Sequence, residues 1–283
     1  MKSLKWPSPA KLNLFLHITG QRPDGYHELQ TVFQFINLYD FIDFEILESG
    51  IIKRSMNNSG IVEADDLVIK AAYKFKEESQ TKLGVDISLL KNIPIGGGLG
   101  GGSSNAATTL VALNQLWQTD LSTEELANIG LSIGADVPFF IYGHAAWAEG
   151  VGDKLTKIEL DEHFYLVVYP GCNISTRAVF ESADLTRNTL PITIRDFFNG
   201  NSGNDCEEFI RNHYNEVAEA LDWLNEYSPS KLTGTGGCLF AQFRDEKIAN
   251  NVKDKLPMKW KGYVVKGINT SPLLEKLIYE KNH

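Results

Sequence analysis

Cysteine is scarce in this chain of 283 residues, and Cys172, Cys206 and Cys238 are widely spaced with no Cys-x-x-Cys pair. That spacing argues against a disulfide framework or a cysteine zinc site, and it fits a reducing compartment. Long apolar runs are also missing, since no uninterrupted stretch approaches the length needed to cross a bilayer. The first seven residues lack the apolar segment of a signal peptide. We therefore expect a soluble, cytoplasmic protein with no membrane partner.

Basic runs are absent as well, and the formal net charge is −9. A nucleic-acid partner held by phosphate contacts is therefore not expected, and an anionic substrate would have to be bound by local donors. The composition is that of an ordinary globular protein, with 43% hydrophobic and 22% charged residues. The length suits one large domain or two of moderate size.

Glycine, by contrast, is concentrated in one stretch. Six of the seven positions from Gly96 to Gly102 are glycine, and a helix-like segment follows at Ser103. Such a run exposes successive backbone N–H groups and leads them into a helix N-terminus, where the helix dipole adds partial positive charge. A flexible linker is the alternative, but linkers lead into polar sequence, whereas apolar residues follow here. The run therefore predicts a phosphate-binding loop.

Alternation of apolar and polar residues from Lys11 onward predicts a half-buried strand. One face carries four apolar side chains and the other carries polar ones, namely Leu12, Leu14, Leu16 and Ile18 against Lys11, Asn13 and His17. A hairpin is indicated at Arg22 to Gly25, because Asp-Gly favours positive φ. Residues 31–36 then form the returning strand.

The remaining pattern mixes strands and helices. We expect strands at 43–47, 85–90, 164–169 and 263–266, and one within 231–243. We expect helices at 66–78, 103–117, 207–226, 245–255 and 271–279, a further helix opening at the capping box Ser122 to Glu125, and a short segment at 134–138. No repeating βαβ rhythm is present, so the sequence predicts an α+β fold rather than a doubly wound sheet.

Three well-known phosphate-binding devices fit the glycine run poorly. A P-loop needs lysine where Ser103 stands. A dinucleotide fingerprint is satisfied at Gly96, Gly98 and Gly101, but it also needs an acidic residue closing a second parallel strand, and a loop is expected around Asp120. A protein-kinase loop needs a downstream His-Arg-Asp sequence that this chain lacks.

A fourth device fits well. The stretch Pro94 to Ala106, preceded by a strand and opening a helix, resembles the ATP loop of the GHMP small-molecule kinases. Pro9-Ala-Lys-Leu-Asn13 resembles the first motif of that family, and Leu232-Thr-Gly-Thr-Gly-Gly237 resembles its third. Other matching segments are Gly25-Tyr-His27, Gly134-Ala-Asp-Val-Pro138, Ala148-Glu-Gly-Val-Gly152 and Arg187-Asn-Thr189. The resemblance extends from about residue 8 to about residue 272.

The resemblance implies a two-lobed fold whose active site lies in the cleft between the lobes. It implies an ATP-binding and catalytic domain at 1–160 and a substrate-binding domain at 161–283. It also implies ATP and Mg²⁺, with transfer of the γ-phosphoryl group to the 2-hydroxyl of a cytidyl-diphosphate-linked methylerythritol in the non-mevalonate isoprenoid precursor pathway. The oligomeric state is left open.

The resemblance assigns the catalytic roles to Lys11 and Asp136, which would offset phosphoryl charge and accept the hydroxyl proton. The ATP-binding residues would be Pro94, Ile95, Gly96, Gly97, Gly98, Leu99, Gly100, Gly101, Gly102, Ser103, Ser104, Lys91 and Asp66. The substrate-binding residues would be Asn13, Tyr26, His27, Phe180, Thr233, Gly234 and Gly236. Tyr26 and Phe180 would enclose the cytosine ring while His27 reads its edge, and Ser104 would help to hold the metal. Asp66 departs from the family, which often places asparagine there.

Without the resemblance, each assignment has a plainer alternative. Asp136 could cap a helix, Lys11 could be a solvated charge, Phe180 could pack in the core, and residues 233–237 could form a simple tight turn. Other functions also remain open: a homoserine, mevalonate or galactose kinase of the same family, an NAD(P)-binding oxidoreductase, or a non-catalytic nucleotide-binding module. Gly25-Tyr-His27 favours the cytidyl substrate among the kinases, because it supplies a base-binding element that the others do not need.

Overall fold

The computed structural model describes residues 2–56, 66–200 and 202–282, and its backbone is dominated by one long hairpin. β1 (Lys2–Gln21) and β2 (His27–Leu47) pair antiparallel, and the predicted turn joins them. Gly25 takes a φ of 88° in this turn, a value that favours glycine. The strands predicted at 31–36 and 43–47 are both parts of β2, because β1 and β4 pair with residues between them and so continue the strand.

β2 organises a sheet of ten described strands. The other strands are β3 (Ile52–Met56), β4 (Gly84–Leu90), β5 (Ala146–Glu149), β6 (Lys154–Lys157), β7 (Phe164–Tyr169), β8 (Ser230–Leu232), β9 (Leu239–Phe243) and β10 (Lys261–Ile268). β1 covers one edge of β2, while β5, β10 and β4 share its other edge in that order. β10 continues through β7 and β9 to β8. Among these named strands only β3 and β4 pair parallel, which confirms the α+β class over a doubly wound sheet.

Ten helices are described in the same ranges. They are α1 (Leu67–Ser79), α2 (Gly101–Leu116), α3 (Thr123–Leu131), α4 (Val137–Tyr142), α5 (Thr176–Glu181), α6 (Ile194–Phe198), α7 (Glu207–His213), α8 (Asn215–Asn225), α9 (Glu246–Lys253) and α10 (Pro272–Lys281). The single helix predicted at 207–226 is wrong, since Tyr214 breaks it with φ −133° and ψ 84°. α5 and α6 were not predicted, because five or six residues are too few to show a helical period.

Two large apolar cores flank the middle of β1. The first lies between β2, β4 and the helices α1, α2 and α4, and it includes Trp6 of β1 and Leu273 of α10. The second lies between β7, β9 and the helices α7, α8 and α9, and it includes Leu16 and Ile18 of β1. The segment of β1 around Lys11 therefore falls at the junction of the two cores.

The polar face of β1 is not exposed, so the prediction of a half-buried strand is wrong. Lys11, Asn13 and His17 have relative exposures of 4%, 3% and 8%. Alternation showed that this face differs from the apolar one, but it could not show that other segments cover it. Among the described residues, none of the helices combines the length and apolarity that crossing a bilayer requires. The cytoplasmic location stays a prediction.

Candidate active site

The first glycine loop connects β4 to α2 and ends in an open helix N-terminus. Gly96, Gly98 and Gly100 have φ values of 70°, 75° and 72°, which residues with a Cβ rarely adopt. Gly100 is the N-cap of α2 and supplies no side-chain cap, while the Ser104 amide donates to its carbonyl at 2.8 Å. The N–H groups at the start of α2, before Ser104, have no partner within the helix. This end of α2 therefore suits an anionic ligand.

A second glycine loop, residues 233–237 between β8 and β9, packs directly on the first. The Cys238 amide donates to the Gly97 carbonyl at 2.9 Å. A Cβ added to Gly98 would lie 2.4 Å from the Thr233 carbonyl oxygen, and one added to Gly237 would lie 2.3 Å from that of Gly96. The loops can approach this closely only because both contain glycine. The second loop is thus more than an isolated tight turn.

Asn204 fastens the second loop to the segment that precedes α7. Its Nδ2 donates to the carbonyls of Leu232 and Gly234 at 3.0 and 2.9 Å, and its Oδ1 accepts from the Cys206 amide at 2.9 Å. Thr176 and Thr235 hydroxyls, 2.8 Å apart, tie the same loop to α5. The contacts to Leu232, Gly234 and Thr235 could not be predicted from the sequence, because their partners Asn204 and Thr176 lie far away in the chain.

Lys11 and Asp136 meet beside the first loop. Lys11 Nζ lies 3.5 Å from Asp136 Oδ2, and the relative side-chain exposures are 4% and 33%. Asp136 occupies the N-cap position of α4 but makes no side-chain cap hydrogen bond. The carboxylate of Asp136 therefore does not cap the helix, and the alternative that it serves only as a cap is wrong. Lys11 is not a solvated charge, because its side chain is buried and its Nζ stands 5.2 Å from the Phe33 ring centroid. Its backbone amide donates to the Leu99 carbonyl at 3.0 Å.

Asn13 joins this pair to the surrounding strands. Its Oδ1 accepts from Lys11 Nζ, and its Nδ2 donates to Thr31 Oγ1 at 2.9 Å. Its backbone amide donates to Thr233 Oγ1 at 3.0 Å. β1, β2 and the second glycine loop are thus all joined through Asn13, the first two by its carboxamide and the loop by its backbone amide.

Lys91 belongs to a buried polar cluster at the start of α2. Its Nζ bonds to Asp40 Oδ2, and it donates to Asn105 Oδ1 at 3.2 Å. Asp40 has no exposed surface, and its Oδ1 accepts from the amides of Asn92 and Ile93 at 2.7 and 2.9 Å. Asn105 Nδ2 donates to Asp40 Oδ2 at 2.9 Å. The cluster holds the Lys91 ammonium next to Gly101, where an added Cβ would lie 3.1 Å from Nζ.

Asp66 and Ser104 are both buried. Asp66 caps α1 by accepting from the Val68 amide at 3.0 Å, and it pairs with Arg54. Ser104 is fully buried, and within the described ranges its Oγ has no hydrogen-bond partner. An unsatisfied buried hydroxyl costs about 1–3 kcal/mol, so a ligand atom that reaches it would relieve that cost.

His27 and Phe180 form the aromatic part of the site. Their ring centroids are 5.0 Å apart with an interplanar angle of 27°. Arg187 Nε donates to His27 Nε2 at 3.0 Å. Burial, followed by the charge of Arg187, lowers the pKa of His27. Tyr26 is 63% exposed, and across the described ranges it forms no ring contact with Phe180.

One cavity of about 620 Å³ brings most of these groups together. The predicted residues that line it are Lys11, Asn13, Asp66, Lys91, Pro94, Ile95, Gly96, Gly97, Gly98, Leu99, Gly100, Gly101, Gly102, Ser103, Asp136, Phe180 and Gly234. Tyr26, His27, Ser104, Thr233 and Gly236 lie outside the lining. Residues that line it without having been predicted include Thr31, Phe33 and Asn105. Asn105 follows Ser104 in the loop motif, and the motifs quoted above also contain further lining residues, namely Ala135, Val151, Gly152 and Thr235.

Two family descriptions match this chain. The GHMP kinases N terminal domain matches residues 66–144, and the GHMP kinases C terminal domain matches residues 191–262. The chain belongs to the GHMP kinase family. This kinase is 52% identical to the 4-diphosphocytidyl-2-C-methyl-D-erythritol kinase of Shewanella pealeana over 276 residues, with 97% of each chain covered. It is 49% identical to the enzyme of the same name from Alkalilimnicola ehrlichii over 280 residues, covering 99% of this chain and 96% of that relative.

Solved structures agree with the sequence relatives. A crystal structure of 4-(cytidine 5'-diphospho)-2C-methyl-D-erythritol kinase superposes with a TM-score of 0.81 at 29% identity, covering 95% of this chain and 100% of the other. A mevalonate kinase structure superposes with a TM-score of 0.69 at 18% identity, covering 94% and 100%, and this likeness concerns the fold alone. The predicted resemblance and GHMP-kinase-like fold are confirmed, and the chain is an ATP-dependent small-molecule kinase.

The oxidoreductase alternative fails on the fold. A dinucleotide site needs a parallel strand after the helix that follows its glycine loop. Here α2 is followed by α3 and α4, and the next strand, β5, pairs antiparallel with β2.

Proposed function

We propose that this kinase transfers the γ-phosphoryl group of ATP to the 2-hydroxyl of 4-diphosphocytidyl-2-C-methyl-D-erythritol, the compound that appears in the names of its curated relatives. The observation that carries the proposal is a single cavity lined by Lys11, Asp136, the first glycine loop and Phe180. Hydrogen-bond donors for phosphate, a carboxylate and an aromatic surface for a base thus face one continuous space. A place in the non-mevalonate isoprenoid pathway goes with this proposal.

Phosphoryl transfer requires in-line positioning and charge stabilisation more than covalent chemistry by the protein. In the proposed reaction the substrate oxygen bonds to the γ-phosphorus while the bond to the β-phosphate oxygen breaks and ADP leaves. Asp136 accepts the proton of the attacking hydroxyl. Lys11, whose Nζ lies 3.5 Å from Asp136 Oδ2, offsets the charge on the phosphoryl oxygens. Asn13 holds Lys11 through Oδ1, and the second hydrogen of its Nδ2, which donates the first to Thr31, would be offered to the substrate.

The ATP phosphates would lie against the N–H groups of residues 100–103, with residues 94–99 forming the wall and Thr233, Gly234 and Gly236 closing the site. Mg²⁺ would supply charge neutralisation at the phosphate oxygens. Proteins usually hold this ion through one or two carboxylates plus substrate phosphates, and a serine or threonine hydroxyl of a phosphate-binding loop can also bind it. The Ser104 Oγ has no partner in the described ranges but lies outside the cavity lining, so it would become such a ligand only when ATP binding brings it to the cavity surface.

The two ends of the substrates would be bound by different groups. Lys91 supplies a cation close to the start of α2, which suits the nucleotide of ATP. Asp66 would act on the adenine site through its position at the start of α1, because its carboxylate is engaged by Val68 and Arg54. At the other end Phe180 and the exposed Tyr26 would enclose the cytosine ring, and His27 would read its edge.

The proposal also covers the division of the chain. Residues 1–160 would form the ATP-binding and catalytic domain and residues 161–283 the substrate-binding domain, with α10 returning to pack on β1 and α2. A small-molecule acceptor, no nucleic-acid partner and a cytoplasmic location complete it. The net charge of −9 supports the exclusion of nucleic acid.

A coupled assay of ADP release against a panel of acceptors tests the proposal. We expect Mg²⁺-dependent turnover with the cytidyl substrate and none with homoserine, mevalonate or galactose. The Asp136→Asn variant gives the background rate. Turnover of homoserine or mevalonate, with none of the cytidyl substrate, would refute the assignment.

A further inference from the structure

Arg187 connects the two rings of the proposed base site. Its Nε donates to His27 Nε2 at 3.0 Å. Its Nη2 donates to the carbonyls of Phe180, at 2.9 Å, and of Ser182, while Nη1 donates to the Leu185 carbonyl at 2.9 Å. Phe180 and Ser182 lie at the C-terminal end of α5, where helix carbonyls lack intrahelical partners. One guanidinium thus fastens the end of α5 to the first residue of β2.

The contact fixes the proton on the imidazole ring. A guanidinium can only donate hydrogen bonds, so His27 Nε2 must accept, and the neutral ring then carries its proton on Nδ1. Burial first, and the Arg187 charge second, lower the pKa of His27 and so favour the neutral ring. The described ranges place no hydrogen-bond partner on Nδ1.

The contact also fixes the plane of the ring. His27 is 9% exposed and stacks on Phe180 with a 5.0 Å centroid separation. Because Arg187 holds the His27 ring nitrogen, rotation of the imidazole would break a hydrogen bond, and the bond to the Phe180 backbone carbonyl fixes the end of α5 beside the ring. Nδ1–H is therefore offered in one direction.

We propose that Arg187 is a positioning residue for the nucleobase, which holds His27 as the Nδ1–H tautomer parallel to Phe180 and so presents one hydrogen-bond donor to the base edge. This inference rests on the proposed function, since only a substrate with a base needs such a donor. Cytosine offers acceptors at O2 and N3, whereas uracil carries a donor at N3. Discrimination between the two pyrimidines should therefore depend on Arg187.

Nitrogen-15 NMR of the imidazole rings tests the tautomer without any substrate. In the wild-type kinase we expect His27 to be protonated on Nδ1 and unprotonated on Nε2. In Arg187→Met we expect a shift toward Nε2–H, the form that free histidine prefers. A wild-type His27 protonated on Nε2 would overturn the proposal. The measurement on the wild-type kinase decides this even if Arg187→Met does not fold.

Binding and kinetics test the consequence. For Arg187→Met we expect KM for the cytidyl substrate and Kd for CDP to rise by about ten-fold or more, the loss of one oriented hydrogen bond, with KM for ATP unchanged. The preference for CDP over UDP should be lost. Arg187→Lys, which keeps the charge but not the planar guanidinium, should show the same losses as Arg187→Met. Arg177→Met is the matched control, because Arg177 lies on α5, the helix whose end Arg187 contacts, and is 84% exposed and paired only with Glu181 in the described ranges.

A double-variant cycle separates positioning from a general structural role. If Arg187 acts through His27, the Arg187→Met change should add little to His27→Ala in the Kd for CDP. Additive effects, or an unchanged Kd in Arg187→Met, would contradict the inference. Failure of the wild-type kinase to use the cytidyl substrate would instead refute the proposed function, and the NMR result would still decide the tautomer.

Discussion

Lys11 Nζ lies 3.5 Å from Asp136 Oδ2, where the middle of β1 passes the start of α4. Asp136→Asn keeps the shape of the side chain but removes its capacity to accept the proton. We expect kcat to fall by at least about 10²-fold while the affinity for ATP stays near the wild-type value. Steady-state kinetics with calorimetric ATP binding checks both. An unchanged kcat would remove Asp136 from the mechanism.

Lys11→Met removes the ammonium and keeps most of the apolar stem. Since Nζ faces both Asp136 and Asn13, its loss takes away the cation proposed to offset phosphoryl charge. We expect kcat to fall by about 10²-fold or more. Lys70→Met, an exposed lysine on α1, is the control and should keep wild-type kcat. Equal activity of the two variants would show that the Lys11 charge is not used.

The first glycine loop was identified from its local composition, and Lys11 and Asp136 were identified through the resemblance to the GHMP kinases. Asp40 and Asn204 were not, because each acts on segments remote in sequence: Asp40 on Lys91 and Asn204 on the second glycine loop. Hydrophobic periodicity showed the alternation in β1 but could not show what covers its polar face. The break at Tyr214 was missed because the apolar spacing continues through it.

Because the two glycine loops approach each other so closely, a single added carbon at Gly98 should weaken ATP binding strongly. In Gly98→Ala the new Cβ would lie 2.4 Å from the Thr233 carbonyl oxygen, in addition to the strain of φ 75°. Gly171→Ala has a similar φ of 90° with no atom within 4 Å, so it isolates the strain of about 1 kcal/mol. We expect the Kd for ATP to rise at least about ten-fold more in Gly98→Ala. Equal ATP binding by both variants would contradict loop contact as the cause.

The buried hydrogen bonds and ion pair of Asp40 should contribute strongly to the stability of the fold. In Asp40→Asn the oxygen can still accept from the Asn92 and Ile93 amides, but the new NH₂ would face the donors Lys91 Nζ and Asn105 Nδ2. Removing one partner of a buried ion pair typically costs about 3–5 kcal/mol. We expect the free energy of unfolding in urea to fall by about 3 kcal/mol or more. Asp43→Asn, on the same strand and bonded to an exposed amide, should change it far less. A near-wild-type Asp40→Asn would contradict the argument.

Three histidines are held in surroundings that disfavour their charged form. Burial lowers the pKa of His17, His27 and His144 from the usual 6.5. The charge of Arg187 adds to this effect at His27, and that of Lys157 adds to it at His144. Carboxyl groups whose pKa is lowered by the fold start from 3.8 or 4.5 and affect stability only in stronger acid, namely Asp86, Glu125, Glu162 and Asp196.

These lowered histidine pKa values predict that the free energy of unfolding decreases as the pH falls from 7.5 to about 5. Below about 6.5 the unfolded chain protonates its histidines while the folded chain resists, so the unfolded state binds more protons and the free energy of unfolding decreases with falling pH. Urea titrations at pH 7.5, 6.5 and 5.5 measure the slope. His144→Gln, which lies away from the proposed active site, should flatten it, because glutamine does not titrate. A free energy of unfolding that stays constant or rises toward pH 5.5 would show that the buried histidines protonate as readily in the fold as outside it.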